Sequence, residues 1–416
     1  MGFLKSFAAL IFCAAGLKAS AQTMSTPYSV YGIGDLEHRT YNHNSGMGYT
    51  GLSLKTTLYS SGNNPASLSG LPRSYFVLDA SGAAKWVTYK GDAIDETNSA
   101  NRDFTIKRLG LSVGINSFWA SGVGFRQLST VNYSFASTKA IEGATANYNI
   151  NYSGDGGIND YYWNNAFRLN KHFSIGVTTS YMSGSINQTE TLVDASDSAI
   201  TSTRGDFYNN AKFDFGAIYT TSLSKKWDAA LGVRFANTTK LPATRTLSVT
   251  GGSTTLIDDE FITHTRFSLP KTYGAGLSLS GKGGTTFAAD YSFQDWASLH
   301  IKGSGWSLVN SQRFSIGAEF ARFSLAQFTN NIQKKSFQLG AYINNTYLRV
   351  QNHQINEYGI TGGFSRSMKN GLLYTVSAEG GVRGTIASGL IKENFFQLSF
   401  NLSFRDLLYS KGHKYN

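Results

Sequence analysis

From about residue 74 onward the chain alternates apolar and polar residues. Near its end the even positions are Phe396, Leu398, Phe400, Leu402 and Phe404, and the odd ones are Gln397, Ser399, Asn401 and Ser403. Successive side chains of a strand point to opposite faces, so this stretch has one wholly apolar face and one wholly polar face. The pattern recurs. Leu109, Leu111, Val113 and Ile115 alternate with Gly110, Ser112, Gly114 and Asn116, and Phe173, Ile175 and Val177 with Ser174, Gly176 and Thr178. Further runs start at Ala229, Tyr273, Phe287, Phe314 and Phe337. The breaks between runs differ in length. Asn170–His172, Ser224–Trp227, Gly281–Gly284 and Met368–Gly371 read as tight turns, while Tyr89–Asp103, Thr138–Asn159 and Leu192–Gly205 read as long loops. Following the breaks along the chain gives about 14 strands.

Alternation alone fits an exported soluble sandwich as well as a membrane barrel, because both have one apolar face. Other features separate the two. Residues 1–21 read as a secretory signal: Lys5 is the positive start, Phe7–Leu17 the apolar core and Ala19-Ser20-Ala21 the cleavage site, leaving Gln22 as the new N-terminus. The apolar runs are long enough to cross a bilayer at a tilt, which takes about 9 to 11 residues. The polar faces are rich in Gly and Ser, which a crowded lumen tolerates. Beyond the signal, no apolar run approaches the roughly 18 residues of a spanning helix. The expected fold is therefore all-β: a transmembrane antiparallel barrel in the bacterial outer membrane. Trp119, Tyr161, Trp163, Trp227, Trp296 and Trp306 sit at likely strand ends, where interface girdles would place them.

Composition agrees. Charged residues are 15%, aromatics 14%, and glycines number 44, too little charge and too much aromatic surface for a disordered chain. Loss of Lys5 and Lys18 lowers the formal charge of +11 by two, and the remaining cations are scattered, so nucleic acid is not an expected partner. Cys13, the only cysteine, lies in the signal after Phe12, a poor lipidation context. The mature chain is thus expected to lack disulfides and thiolate chemistry. The seven histidines show no HxH or HExxH spacing, so no metal site, cofactor or enzymatic activity is expected. His38 and His43, five apart, fit polar packing better than a metal pair. Asp258-Asp259-Glu260 reads as a solvated loop.

Residues 22–72 do not alternate. They contain Ser45-Gly46-Met47-Gly48 with Gly51, then Asn64-Pro65-Ala66, and open with Tyr28-Ser29-Val30-Tyr31-Gly32-Ile33-Gly34-Asp35-Leu36. In these motifs and in its signal–segment–barrel order the chain resembles the FadL family of outer-membrane transporters for long-chain fatty acids and aromatic hydrocarbons, in its Bacteroidota form. The resemblance implies that residues 22–72 are a hatch plugging the barrel of residues 73–404, with 405–416 a periplasmic tail that relatives typically lack. It also implies that hydrophobic ligands enter from outside and leave sideways through the wall. Gly46, Gly48, Gly51, Asn64, Pro65 and Ala66 become the ligand and hatch positions. By strand register Arg126, Arg234, Asp290, Glu319, Glu379 and Arg383 face the lumen, since charge facing lipid costs about 2–4 kcal/mol. They read as paired charges and hatch anchors, or as a selectivity ring.

The expected function is passive passage of hydrophobic small molecules, fatty-acid-like or aromatic, bound in an apolar lumen pocket and released by hatch movement. The expected partners are that ligand, outer-membrane lipid and the barrel-assembly machinery during biogenesis. Two alternatives stand beside it: a FadL-type barrel serving as subunit of a secretion or outer-membrane assembly complex, and a general porin.

Overall fold

A computed structural model of the chain describes residues 26–92, 94, 99–140, 147–193, 199–324, 332–368 and 371–408. The signal, Gln22 and the end of the tail fall outside these. The strands are β1 Asp35–Leu36, β2 Tyr75–Lys90, β3 Ala100–Gly114, β4 Trp119–Ala140, β5 Asn147–Arg168, β6 Phe173–Val193, β7 Ala199–Ser222, β8 Trp227–Ala236, β9 Thr239–Gly251 and β10 Thr254–Leu269. They continue as β11 Thr272–Gly281, β12 Thr285–Gln294, β13 Lys302–Gly303, β14 Trp306–Leu308, β15 Ser311–Ser324, β16 Ile332–Val350, β17 His353–Ser367, β18 Leu372–Arg383 and β19 Lys392–Leu407.

All belong to one antiparallel sheet that closes on itself: β19 pairs with β2 from Lys392↔Lys90 to Leu407↔Tyr75. β8 and β9 are two halves of one wall strand, since both pair with β7. β10 and β11 are likewise halves of the next, split at Pro270-Lys271, where proline has no N–H for the ladder. With β1, β13 and β14 set aside, the described residues form a 14-stranded barrel, as the alternation predicts. Pairing of β19 with β2 joins the first and last wall strands, so the sheet is a cylinder and not an open sheet.

Register places the apolar faces outward. Phe215, Leu231, Leu277, Ile316, Leu339 and Phe400 are exposed on the outer wall, while their inward neighbours Asp214, Ser278, Ser315, Gln338 and Ser399 are buried. Trp119 stacks on Phe167 and Trp227 on Phe287, each pair 6.3 Å apart, at the end with short turns. Trp296 departs from the girdle expectation. It is fully buried inside the barrel mouth, with Trp306 packed against the same apolar layer.

The expected long loops Thr138–Asn159 and Leu192–Gly205 are mostly strand. β4 and β5 continue to Ala140 and from Asn147, and β6 and β7 to Val193 and from Ala199. β7 has 24 residues, more than twice what a crossing needs. The excess rises outside the membrane as a wing of β4–β7, β9 and β10. Along β6 the polarity of the two faces inverts at the height of Tyr181. Below it Phe173, Ile175 and Val177 point out, and Ser174, Gly176 and Thr178 point in. Above it Ser183, Asn187 and Thr189 point out, and Met182 and Ile186 are buried within. β4 switches likewise, from outward Val123 and Phe125 to inward Val131 and Tyr133. Below the switch the solvent outside is lipid; above it the solvent is water, and the apolar face turns to the axis. Asp258-Asp259-Glu260 lies on β10 of this wing, not in a loop.

Candidate functional site

The N-terminal segment runs down the inside of the cylinder. At the outer mouth Tyr28 and Ile33 join Val131, Ile158, Met182, Leu241, Trp296, Leu348 and Leu390 in one apolar layer. Deeper, the segment is polar and irregular, with short 3-10 turns at His43–Met47 and Pro65–Gly70. Its N–H and C=O groups cannot stay unpaired inside the barrel, and the wall supplies many of the partners.

The glycine-rich motif lies against β15–β17. Gly48 sits at φ 65°, donates its N–H to Thr361 Oγ1 at 2.8 Å, and accepts from the Arg313 guanidinium at 3.2 Å. A Cβ there would come within 2.8 Å of the Ala341 and Ile316 carbonyls. Gly46 gives its carbonyl to Thr361 Oγ1 at 2.8 Å. The N–H groups of Gly51 and Leu52 both donate to one Asp290 oxygen, at 2.7 and 3.0 Å. Asn64 caps the Pro65–Gly70 turn through the Ala66 N–H (2.9 Å). Its amide also donates to the carbonyls of Leu52, Ala217 and Val233, at 2.7, 3.2 and 3.1 Å. Pro65 follows the cap, where its missing N–H costs nothing, and Ala66 is fully buried. Asn64 fits because Gly216 of β7 has no side chain: a Cβ would lie 2.0 Å from Asn64 Oδ1.

The predicted lumen charges all point inward, and five of the six touch the N-terminal segment. Asp290 is described above. Glu319 holds His43 Nε2 at 2.7 Å. Glu379 receives Arg39 Nε at 3.0 Å and the Tyr49 hydroxyl at 2.5 Å. Arg383 grips both oxygens of Asp35, at 2.8 and 2.7 Å. Arg234 donates to the Asn63 carbonyl at 3.4 Å and pairs with Asp214 at 2.9 Å. Arg126 stays on the wall, at 2.6 Å from Asp160. His38 and His43 each pair with a wall glutamate, His38 with Glu357 at 3.2 Å. Among the described residues no three His, Cys, Asp or Glu groups are placed to hold a metal.

Sequence reasoning missed the centre of this network. Arg39, nearly fully buried, bonds Glu357 at 2.5 Å, Glu379 at 2.8 Å and the Tyr342 hydroxyl at 2.9 Å. Burial disfavours a charged guanidinium, but the two carboxylates outweigh it and hold Arg39 well above its ordinary value. Glu37 is largely buried, its side chain 14% exposed. Burial would raise its carboxyl, yet Lys107 and Arg39 bring it down to about 2. Strand parity could have found Glu357 and Arg313, which alternate with outward Tyr358 and Phe314. Nothing in the irregular segment marks Arg39.

Between residues 35–41 and the wall lies a cavity of about 200 Å³. Lys107, Arg108, Arg126, Lys212, Arg234 and Arg313 line it, with Glu37 and Glu357 among the acids. The expected apolar lumen pocket is not what fills this space. The cavity lining is polar and charged; the interior's apolar side chains gather above it, at the mouth, and at the short-turn end, where Leu68 and Leu71 pack with Val77, Ala120 and Ala166. Beside the cavity the wall is incomplete. The β3–β4 ladder runs from Gly114↔Ala120 only as far as Arg108↔Arg126. Beyond that point β3 pairs with β2 alone, while β4 pairs with β5 and with the two residues of β1. On β3 the outward Phe104 and Ile106 beside this seam are exposed, and on β4 the seam begins at Gln127, where the polarity of the outward face switches, at the upper edge of the apolar belt.

A closed barrel of 14 strands with an outward apolar belt and an occupied lumen is the architecture of an outer-membrane β-barrel. Solved structures agree in fold. A Pseudomonas aeruginosa FadL homologue superposes with a TM-score of 0.60 at 13% identity over 90% of this chain and 99% of its own. The P. putida toluene transporter TodX gives 0.58 at 12% identity, covering 90% and 100%, and the Ralstonia pickettii toluene transporter TbuX 0.56 at 14%, covering 88% and 98%. No curated protein matches the chain by sequence. The BamG family model matches residues 3–416, and the chain belongs to that family.

Proposed function

We propose that the protein is a passive channel for hydrophobic or amphiphilic small molecules, with the N-terminal segment as its hatch. The observation that carries this is the seam: a wall opening at the upper edge of the apolar belt, beside a lumen cavity. A molecule released there enters lipid directly, with no passage through bulk water. The kinship in fold to hydrocarbon channels supports the same reading. A cavity lined by arginine and lysine favours cargo with a polar or anionic end over a bare hydrocarbon.

Uptake into proteoliposomes tests it. A fluorescent long-chain fatty acid should enter far faster than into empty vesicles, and a labelled disaccharide should not. No difference for the fatty acid, or equal entry of both, would overturn the reading, the second result favouring a general porin.

Membership of the BamG family, whose name points to barrel assembly, favours a second reading: a subunit of an outer-membrane assembly complex. The wing supports it, since its inner face carries Phe135 and Ile200, both exposed, where a partner could pack. Affinity purification in mild detergent discriminates. A stoichiometric membrane partner without fatty-acid uptake selects this reading.

A further inference from the structure

A row of cations stands on the outer wall at the short-turn end, away from the lumen. On β15, β16 and β17 the outward row Phe320↔Phe337↔Phe364 is followed, two residues nearer the turns, by Arg322↔Lys335↔Arg366. All three cations are exposed, and strand parity puts them on the same outward face as the three phenylalanines. Residues directly opposite across a ladder have Cβ atoms about 4.5–5.5 Å apart, and like charges there repel. Lys335 has a cation on each side. The chain supplies no anion to offset this. From Phe320 to Ala378 the only Asp or Glu is Glu357, which faces the lumen and holds Arg39. Among the described residues none of the three cations forms an ion pair. Tyr374 of β18 lies opposite Arg366 and adds a hydroxyl to the row.

Toward mid-membrane the same wall is hollowed. Leu277, Phe287, Ile316 and Leu339 border an open groove of about 570 Å³ on β11, β12, β15 and β16. Its floor is low because the outward positions between them are Ala289, Ala318 and Ala341. From Ala318 to Arg322 is four residues of strand, about 13 Å. An apolar groove and a triple cation therefore lie in line on β15 and β16, with Phe320 and Phe337 between them.

We propose that this is a binding site for an anionic phospholipid of the inner leaflet, with its phosphate on Arg322, Lys335 and Arg366 and an acyl chain in the groove. Short turns lie on the periplasmic side, so the row stands at the headgroup level of that leaflet. The phosphate supplies the negative charge that the ladder lacks, and the long stems of Arg and Lys carry their charged ends to it across apolar surface. A lipid accounts for both features. An acidic protein segment would account for the cations and leave the groove empty. The site lies outside the lumen and does not rest on the channel reading.

Native mass spectrometry of the whole mature barrel in mild detergent tests it. Phosphatidylglycerol should bind in preference to phosphatidylcholine with the same chains. Lys335→Gln should weaken phosphatidylglycerol about fivefold, the effect of one cation at a membrane surface. Arg322→Gln, Lys335→Gln and Arg366→Gln together should erase the preference and leave phosphatidylcholine binding as it was. Ala318→Trp, which fills the groove and keeps the charges, should weaken the long-chain lipid and spare dihexanoyl phosphatidylglycerol. Lys225→Gln with Lys226→Gln, exposed on another turn of the same rim, should change nothing. Heat-modifiable mobility on gels shows that each variant is a folded barrel. An unchanged preference in the folded triple variant would overturn the proposal. So would an equal loss on replacing Lys225 and Lys226, which would mean a diffuse cationic rim. Displacement of the lipid by an equal concentration of inorganic phosphate would overturn the lipid as occupant and leave a simple anion site.

Discussion

Arg39 does more to seat the N-terminal segment than any residue the sequence singled out. Its guanidinium fork bonds two buried glutamates on neighbouring strands and the Tyr342 hydroxyl between them. Removing one partner of such a network leaves uncompensated buried charge, which costs about 3–5 kcal/mol. Arg39→Met should therefore release the segment while the wall, zipped by its own ladders, stays closed. The expected result is rapid protease cleavage within residues 26–74 of a barrel that still shows folded mobility. Arg39→Lys should rescue only in part, since an ammonium cannot supply the planar pair of bonds to Glu379. Equal protease resistance of wild type and Arg39→Met would show that the apolar mouth layer holds the segment without help.

At the scale of the strand, meaning comes from height as well as face. Phe215 and Thr201 lie on the same outward face of β7, but Phe215 is in the lipid belt and Thr201 in the wing, where it pairs with Thr191 at 3.2 Å. A lysine at mid-belt costs about 2–4 kcal/mol and near water little. Phe215→Lys should cut the yield of assembled barrel, and Thr201→Lys should leave it unchanged, as read by the folded fraction on unheated gels. Equal losses would mean that the polarity switch does not mark the membrane surface. This also shows what was legible. Strand existence, face and the inward direction of Asp290, Glu319 and Glu379 follow from alternation, because lipid enforces it. The wing strands read as loops because no lipid does so there: Asn187, Thr189, Thr201 and Thr203 are polar on the outward face, and the apolar residues had switched sides. Ser399 carries a further lesson. It faces inward, but it is 2% exposed and bonds Ser377 at 2.7 Å, so a polar inner face here means a packed interior and not a water-filled one. The seating of Asn64 on Gly216 was not legible, since an irregular segment has no period to read.

The whole molecule stacks three layers along its axis: an apolar plug at the outer mouth, a charged cavity beside the seam, and polar packing of the N-terminal segment on wall glycines below. The plug depends on the wing, because Leu241 and Leu269 belong to its core, yet the barrel does not. β8 and β11 pair directly from Ala236↔Thr272 to Trp227↔Gly281, so the wall closes beneath the β9–β10 hairpin. Replacing residues 237–271 with Asn-Gly, a two-residue turn suited to antiparallel strands, should leave a folded barrel with its mouth loosened. In planar bilayers such a variant should pass small ions more readily than the parent, since the apolar layer that seals the mouth would have lost part of one side. If the wing is also where a partner packs, the same deletion should abolish co-purification. Higher conductance with the partner retained would confine the wing to sealing the mouth, and unchanged conductance would mean that the N-terminal segment alone makes the seal.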